Sequence, residues 1–123
     1  AVEPVDLEVF GDPERVHQVV ANLLDNAIAH SPPGGRVRLE GSRNGGVARI
    51  EVRDEGPGIP SDEAARVFER FYRSDSARSS REGSSGLGLA IARWIIDLHG
   101  GDIRVDTTYS HGCNMVVELP RQV

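Results

Sequence analysis

An α+β domain is predicted from three features of this sequence. A long amphipathic helix lies near its start, paired runs of alternating residues read as strands, and a Gly-Leu-Gly-Leu step opens a second strongly apolar helix. The expected element order is strand, helix, two strands, helix, a serine- and arginine-rich loop, helix, two strands. At 123 residues the chain can build one hydrophobic core and is too short for two, so residues 1–123 are expected to form a single domain.

Val2 to Phe10 alternates loosely, with Val5, Leu7 and Val9 on one side, and predicts the first strand. Asp12 suits an N-cap and Pro13 the first helical position, where a missing N–H costs nothing. Val16, Val19, Val20, Leu23, Leu24, Ala27 and Ile28 then recur at the spacing of one buried face, and Ser31-Pro32-Pro33-Gly34-Gly35 ends the helix. On the adjoining flank Gln18, Asn22, Asn26 and His30 stand four residues apart in one line. Uncharged amides beside a core face suggest a polar ligand with a metal or phosphate in reach, although ordinary surface or structural residues give the same pattern.

Val37 and Leu39 alternate with Arg36, Arg38 and Glu40, Asn44-Gly45-Gly46 signals a turn, and Val47 to Arg53 alternates again, which predicts an antiparallel hairpin. Its second strand runs into Asp54-Glu55-Gly56-Pro57-Gly58-Ile59-Pro60. Glycines there let backbone approach a flat ligand, and a strand-end carboxylate accepts a hydrogen bond from an exocyclic amine; an ordinary turn fits equally. Ser61 is expected to cap a helix reaching about Phe71. Residues Arg73 to Gly86 offer almost nothing to bury, so they read as a mobile lid whose Arg70, Arg73, Arg78 and Arg81 could close on an anion. The next helix opens at Gly86-Leu87-Gly88-Leu89, where free N–H groups suit a phosphate, with Leu87, Ala90, Ile91, Trp94, Ile95 and Leu98 as its core face and Gly100-Gly101 as its stop. Asp102 to Tyr109 and Cys113 to Leu119 close the chain as strands around a Ser110-His111-Gly112 turn.

Composition excludes several classes. Hydrophobic residues at 38% with 27% charged describe a soluble globular protein, and no apolar run is long enough for a membrane helix. A formal net charge of −5 argues against nucleic acid as a partner. The single cysteine, Cys113, cannot pair within the chain, which points to a reducing compartment. All 14 basic residues are arginine, so any phosphate held by a side-chain cation is held by a guanidinium.

The ordered set NLLDNA, DEGPGIP, FERFYR and GLGLAIA resembles the asparagine box, first glycine box, phenylalanine box and second glycine box of the ATP-binding catalytic domain of bacterial sensor histidine kinases. The resemblance covers essentially the whole chain. It implies the Bergerat fold shared with type II topoisomerases, the ninety-kilodalton heat-shock chaperones and the mismatch-repair ATPases. That fold is a two-layer α/β sandwich, here with a mixed, mainly antiparallel sheet of about five strands on three helices and an ATP lid over about residues 72–86. Carried over by position, Asn26 would ligate the Mg²⁺ that bridges the phosphates, and Asn22 would support the triphosphate. Asp54 would take the adenine amine, with Gly56, Gly58 and Ile59 against the base and His30 packed beside it. Arg70 and Arg73 would face the phosphates, which Gly86, Leu87, Gly88 and Leu89 would meet through their backbone. Asn22, Arg70 and Arg73 form the implied catalytic set. Phe68, Phe71 and Tyr72 would anchor the lid hinge. Ala29 and Ser84 depart from the pattern, standing where relatives place a basic residue and a further glycine.

The ATPase branches of this fold carry a glutamate base where this chain has Asn22, which cannot activate water, so ATP would be kept for an external nucleophile. Phosphoryl transfer rests on positioning and charge stabilisation, and none of the four histidines sits in the family's acceptor pattern. The resemblance therefore implies a catalytic domain of a longer inner-membrane sensor, lying in the cytoplasm. It would bind ATP or ADP and act on a separate dimerisation/phosphoacceptor domain upstream of a cognate response regulator. Alone it would be a monomer unable to phosphorylate itself; the full-length protein would be a homodimer. A nucleotide-binding module without activity, supported by Ala29 and Ser84, and a serine-directed anti-sigma factor kinase are the alternatives.

Overall fold

A computed structural model describes residues 13–69 and 87–120. The expected strand at Val2–Phe10, the Asp12 cap, Arg70, Phe71, Tyr72 and the lid through Gly86 lie outside the described residues. Within them, helices α1 (Pro13–His30) and α2 (Gly88–Leu98) pack on one face of a sheet built from β1 (Val37–Asn44), β2 (Val47–Asp54), β3 (Asp102–Val105) and β4 (Cys113–Pro120). The strand order is β1-β2-β4-β3 and every pairing is antiparallel. This two-layer α+β architecture agrees with the expectation, with four strands among the described residues.

The register explains the layer. Leu39, Val52, Met115 and Val105 fall in one row across the four strands, and Gly41, Ile50, Val117 and Ile103 in the next. These rows face Val19, Leu23 and Ala27 of α1 and Ala92, Ile95 and Ile96 of α2, forming one core. On the outer face the same register sets Arg38 opposite Arg53 and Glu40 opposite Glu51, like charges that repel when directly across. Diagonal and same-strand pairs offset this: Arg53 reaches Glu40 across the hairpin at 3.2 Å and Glu51 on its own strand at 3.3 Å, and Arg104 reaches Glu118 across the ladder at 2.6 Å and Asp102 on its own strand at 2.8 Å. Sliding a strand by one residue would exchange the two faces, so the pattern tolerates a single register.

Three expectations need correction. Residues 61–68 form successive turns in place of an α-helix: Glu63 N–H donates to Pro60, Arg66 to Glu63 and Glu69 to Arg66, so no i to i−4 ladder is established there. The segment buries Val67 and Phe68, with Ala64 packed partly buried against the same core. In α2 the buried residues are Ala92, Ile95 and Ile96, whereas Trp94 (56%) and Leu98 (67%) are exposed. Nearly every position of this helix is apolar, so periodicity admits more than one phase. The Arg93–Asp97 pair at 3.8 Å marks the solvent side, and α1 together with the sheet selects the buried arc. Ile28, at the end of α1, is likewise exposed. The third strand stops at Val105 because Asp106 turns the chain, its carboxylate accepting from Thr108 N–H at 3.0 Å and Thr108 Oγ1 at 2.6 Å.

Ile96→Ala should therefore cost about 2–5 kcal/mol in urea-denaturation stability, the range for truncating a buried aliphatic side chain. Trp94→Ala should stay within about 0.5 kcal/mol, as a surface change does. Equal costs would contradict the helix phase.

Candidate functional site

The end of α1, the end of β2 and the β3–β4 turn meet at one end of the sheet, and the start of α2 meets α1 further back, at Asn22. Asp54, the last residue of β2, is 3% exposed and lies directly opposite Cys113. Its Oδ1 accepts from Gly56 N–H at 2.8 Å and from Cys113 N–H at 3.4 Å. Among the described residues no donor reaches Oδ2. Burial raises the Asp54 pKa above the ordinary carboxylate value, against the opposing pull of the two N–H bonds and of nearby His30. The group is thus a fixed acceptor with one oxygen unspent. The Cys113 thiol is pushed up to about 12 by burial first and by the Asp54 charge second, which keeps it protonated and inert.

The glycines after Asp54 meet the protein's own backbone. A methyl group on Gly56 would press on the His30 carbonyl oxygen and stand 2.9 Å from Asp54 Oδ1. Gly58 adopts φ of 78°, and a Cβ there would lie 2.9 Å from the Gly112 carbonyl oxygen. Close approach is required here, as the sequence suggests, but by α1 on one side and the β3–β4 turn on the other. Glu55 ties the same loop down by accepting from Arg36 N–H at 2.8 Å. Ile59 is partly buried against the core.

Along the α1 flank, Asn22 Nδ2 donates to the Gly88 carbonyl at 3.0 Å, which couples α1 to the first residue of α2. Asn26, one turn on, is half-buried, and its side chain has no hydrogen-bond partner among the described residues. His30 ends the helix beside Gly56 and Asp54. Leu87 occupies the α2 N-cap without a side-chain capping bond, and the first turn carries no acidic residue. The first helical bond is Ile91 N–H to Leu87 at 2.8 Å, so Gly88, Leu89 and Ala90 present N–H groups without intrahelical acceptors. Such a terminus favours anions.

The fold thus gathers His30, Asp54, Gly56 and Gly58 at one end of the sheet and pairs Asn22 with Gly88 further back along α1, with Asn26 between them on the same helix. Arg70, Arg73 and Gly86 lie outside the described residues. Gly112 and Cys113 contact Asp54 and were not singled out from sequence. Nothing local marks them, because their contact is made by strand pairing across 59 residues of chain.

Comparison with known proteins gives the family of the fold. Residues 11–123 match the family model for histidine kinase-, DNA gyrase B- and HSP90-like ATPases. The signal transduction histidine-protein kinase/phosphatase MprB of Mycolicibacterium smegmatis is 48% identical over 112 residues, 90% of this chain and 22% of that protein. The chain therefore spans about a fifth of this curated relative. A solved mycobacterial sensor histidine kinase MprB structure superposes with a TM-score of 0.83 at 44% identity, covering 94% of this chain and 78% of that one. The histidine kinase ThkA, solved in complex with the response regulator protein TrrA, gives a TM-score of 0.78 at 29% identity, over 99% of this chain and 33% of that one. With fold, motif order and both comparisons in agreement, the chain belongs to the histidine kinase-, DNA gyrase B- and HSP90-like ATPase family, as a catalytic ATP-binding domain of the sensor histidine kinase type.

Proposed function

We propose that this domain binds Mg-ATP along α1, from the end of β2 to the start of α2, and donates the γ-phosphate to a histidine on a separate dimerisation/phosphoacceptor domain. The observation that carries the reading is Asp54. A buried carboxylate whose Oδ1 is taken by two backbone donors and whose Oδ2 is unspent is built to accept one more hydrogen bond. The exocyclic amine of adenine supplies that donor, whereas guanine offers a carbonyl at the corresponding position. The triphosphate then runs along the amide flank of α1 toward the uncapped N-terminus of α2. Arg70, Arg73 and the backbone at Gly86 are proposed to complete the phosphate contacts.

Asn26 suits a hard cation through its amide oxygen, which no side-chain hydrogen bond occupies among the described residues. Among the described residues no group of three or more His, Cys, Asp or Glu side chains could form a metal cage. An ion here would lean on one protein oxygen together with phosphate and water, the regime Mg²⁺ prefers. When bound, Mg²⁺ neutralises phosphate charge. Asn22 has given its Nδ2 to Gly88 and carries no basic atom, so this position offers no base for water, and the γ-phosphate is retained for an incoming imidazole. A response regulator is proposed as the downstream receiver, on the precedent of ThkA with TrrA. The domain is proposed to lie on the cytoplasmic side of a membrane sensor; no described helix is long and apolar enough to cross a membrane.

Thermal unfolding with ATP, ADP and GTP, each with and without Mg²⁺, tests the reading. ATP at one hundred times its dissociation constant should add about 2.7 kcal/mol of stability, and GTP at the same concentration much less. Asn26→Asp should alter the magnesium dependence of ATP binding while leaving unfolding in the absence of nucleotide nearly unchanged; parent-like Mg-ATP affinity would reject the metal assignment.

Asp54→Asn separates function from stability. Because burial raises the folded pKa of Asp54, the fold favours its protonated form. That contribution is fully present below the unfolded carboxylate pKa and is lost as pH rises through the raised folded value, so at neutral pH the ionised group costs stability. The asparagine keeps an oxygen for Gly56 and Cys113 without the charge. Its melting temperature at pH 7 should equal or exceed the parent's, while ATP-over-GTP selectivity collapses. A large drop in melting temperature with selectivity intact would overturn both assignments.

A further inference from the structure

We infer that Gly112, in the β3–β4 turn, is a positioning residue that holds the adenine-accepting carboxylate in place; the inference rests on the nucleotide reading above. Asp54 and Cys113 are the last paired residues of β2 and β4, and Gly112 lies immediately beyond that pair. At φ of 150° its backbone crosses the exit of β2. A Cβ at this position would overlap the Asp54 carbonyl oxygen and stand 2.8 Å from Asp54 C and 3.0 Å from Glu55 Cα. These are backbone atoms, so no side chain can rotate away to make room. Any side chain at Gly112 must push the end of β2 outward, lengthening the Cys113 N–H to Asp54 Oδ1 bond and shifting the Gly112 carbonyl that abuts Gly58. Gly112 touches no nucleotide; it acts through Asp54 and Gly58.

The turn is braced from its other end. Asp106 N–H donates to the Asn114 carbonyl at 2.8 Å, and Tyr109 N–H donates to Asp106 at 3.3 Å. The buried Asn114 donates Nδ2 to Glu51 at 3.1 Å and to Asp106 at 3.4 Å. Tyr109 lies 5.7 Å from the Arg53 guanidinium and packs edge-on against His111. Arg53 is the residue before Asp54, so the turn grips the strand end at two successive residues.

The test measures ATP and GTP binding by calorimetry for the parent and three variants, at a temperature where circular dichroism shows each one folded. Gly112→Ala should weaken ATP binding about tenfold or more, as the loss of an aligned bond to a carboxylate does, and compress the ATP-to-GTP ratio. Gly100→Ala is the control. Its glycine also has positive φ, at 70°, but the nearest atom to an added Cβ is Pro120 Cγ at 4.0 Å. It should lower melting temperature and leave the ratio unchanged. A folded Gly112→Ala variant with the parent's affinity and ratio would overturn the inference. Should that variant fail to fold, Asp106→Ala decides, because it loosens the turn without adding atoms. A weaker, less selective ATP site upholds the positioning role, and parent-like binding rejects it. A parent that shows no preference for ATP would reject the nucleotide reading, and this inference with it.

Discussion

The pairing of Asp54 with Cys113 is the constraint on which the rest of the site depends. It is the last rung of the β2–β4 ladder, and it brings a carboxylate under cover at the point where the sheet stops supplying backbone partners. Burying that group raises its pKa and costs stability, and two convergent N–H donors limit the cost. Because both donors are backbone atoms, their aim is set by loop path. The loop path is in turn set by the His30 carbonyl against Gly56 and the Gly112 carbonyl against Gly58. The site is a junction of four chain segments held by close backbone contact, with few side chains to absorb error.

The remainder of the fold serves that junction. The inner face of the sheet is apolar beneath the two helices up to Asp54 at the end of β2, and this packing holds α1 at the height where its C-terminal carbonyl reaches Gly56. On the outer face the like pairs Arg38–Arg53 and Glu40–Glu51 stand directly opposed, and the diagonal pairs Arg53–Glu40 and Arg104–Glu118 attract. Surface ion pairs contribute little to stability individually. Their consequence here is specificity: a slipped strand would lose the diagonals and move Asp54 away from Cys113. The Asn22 bond to Gly88 performs a comparable task between the helices, joining the amide flank to the anion-favouring start of α2.

Much of this was legible in the sequence, for local reasons. Pro13 at the head of α1, the proline and glycine run at its end, the hairpin around Gly45-Gly46 and the alternation of β2 all follow from short-range sterics and periodicity, and each stands where expected. The line Asn22, Asn26, His30 and the Asp54 loop were visible as residue types that a plain surface does not require. In α2, with apolar residues on nearly every side, local pattern failed to select the buried arc, and Trp94 and Leu98 emerged on the solvent side. Residues 61–68 had a helical cap and a helical composition, yet they pack Ala64, Val67 and Phe68 on the core as successive turns.

The sequence by itself determined the order of the described helices and strands, the strand pairing of the first hairpin, the candidate polar residues and, through four motifs in fixed order, the family. Those properties depend on neighbours within a few residues. Tertiary structure alone decided which oxygen of Asp54 is spent, why Gly56 and Gly58 tolerate no side chain, and that Gly112 stands against the strand end. Each of these is a contact between segments distant in the chain, made at separations where a single added carbon would not fit. Such contacts leave no periodic trace, because what they demand of the sequence is only the absence of a side chain.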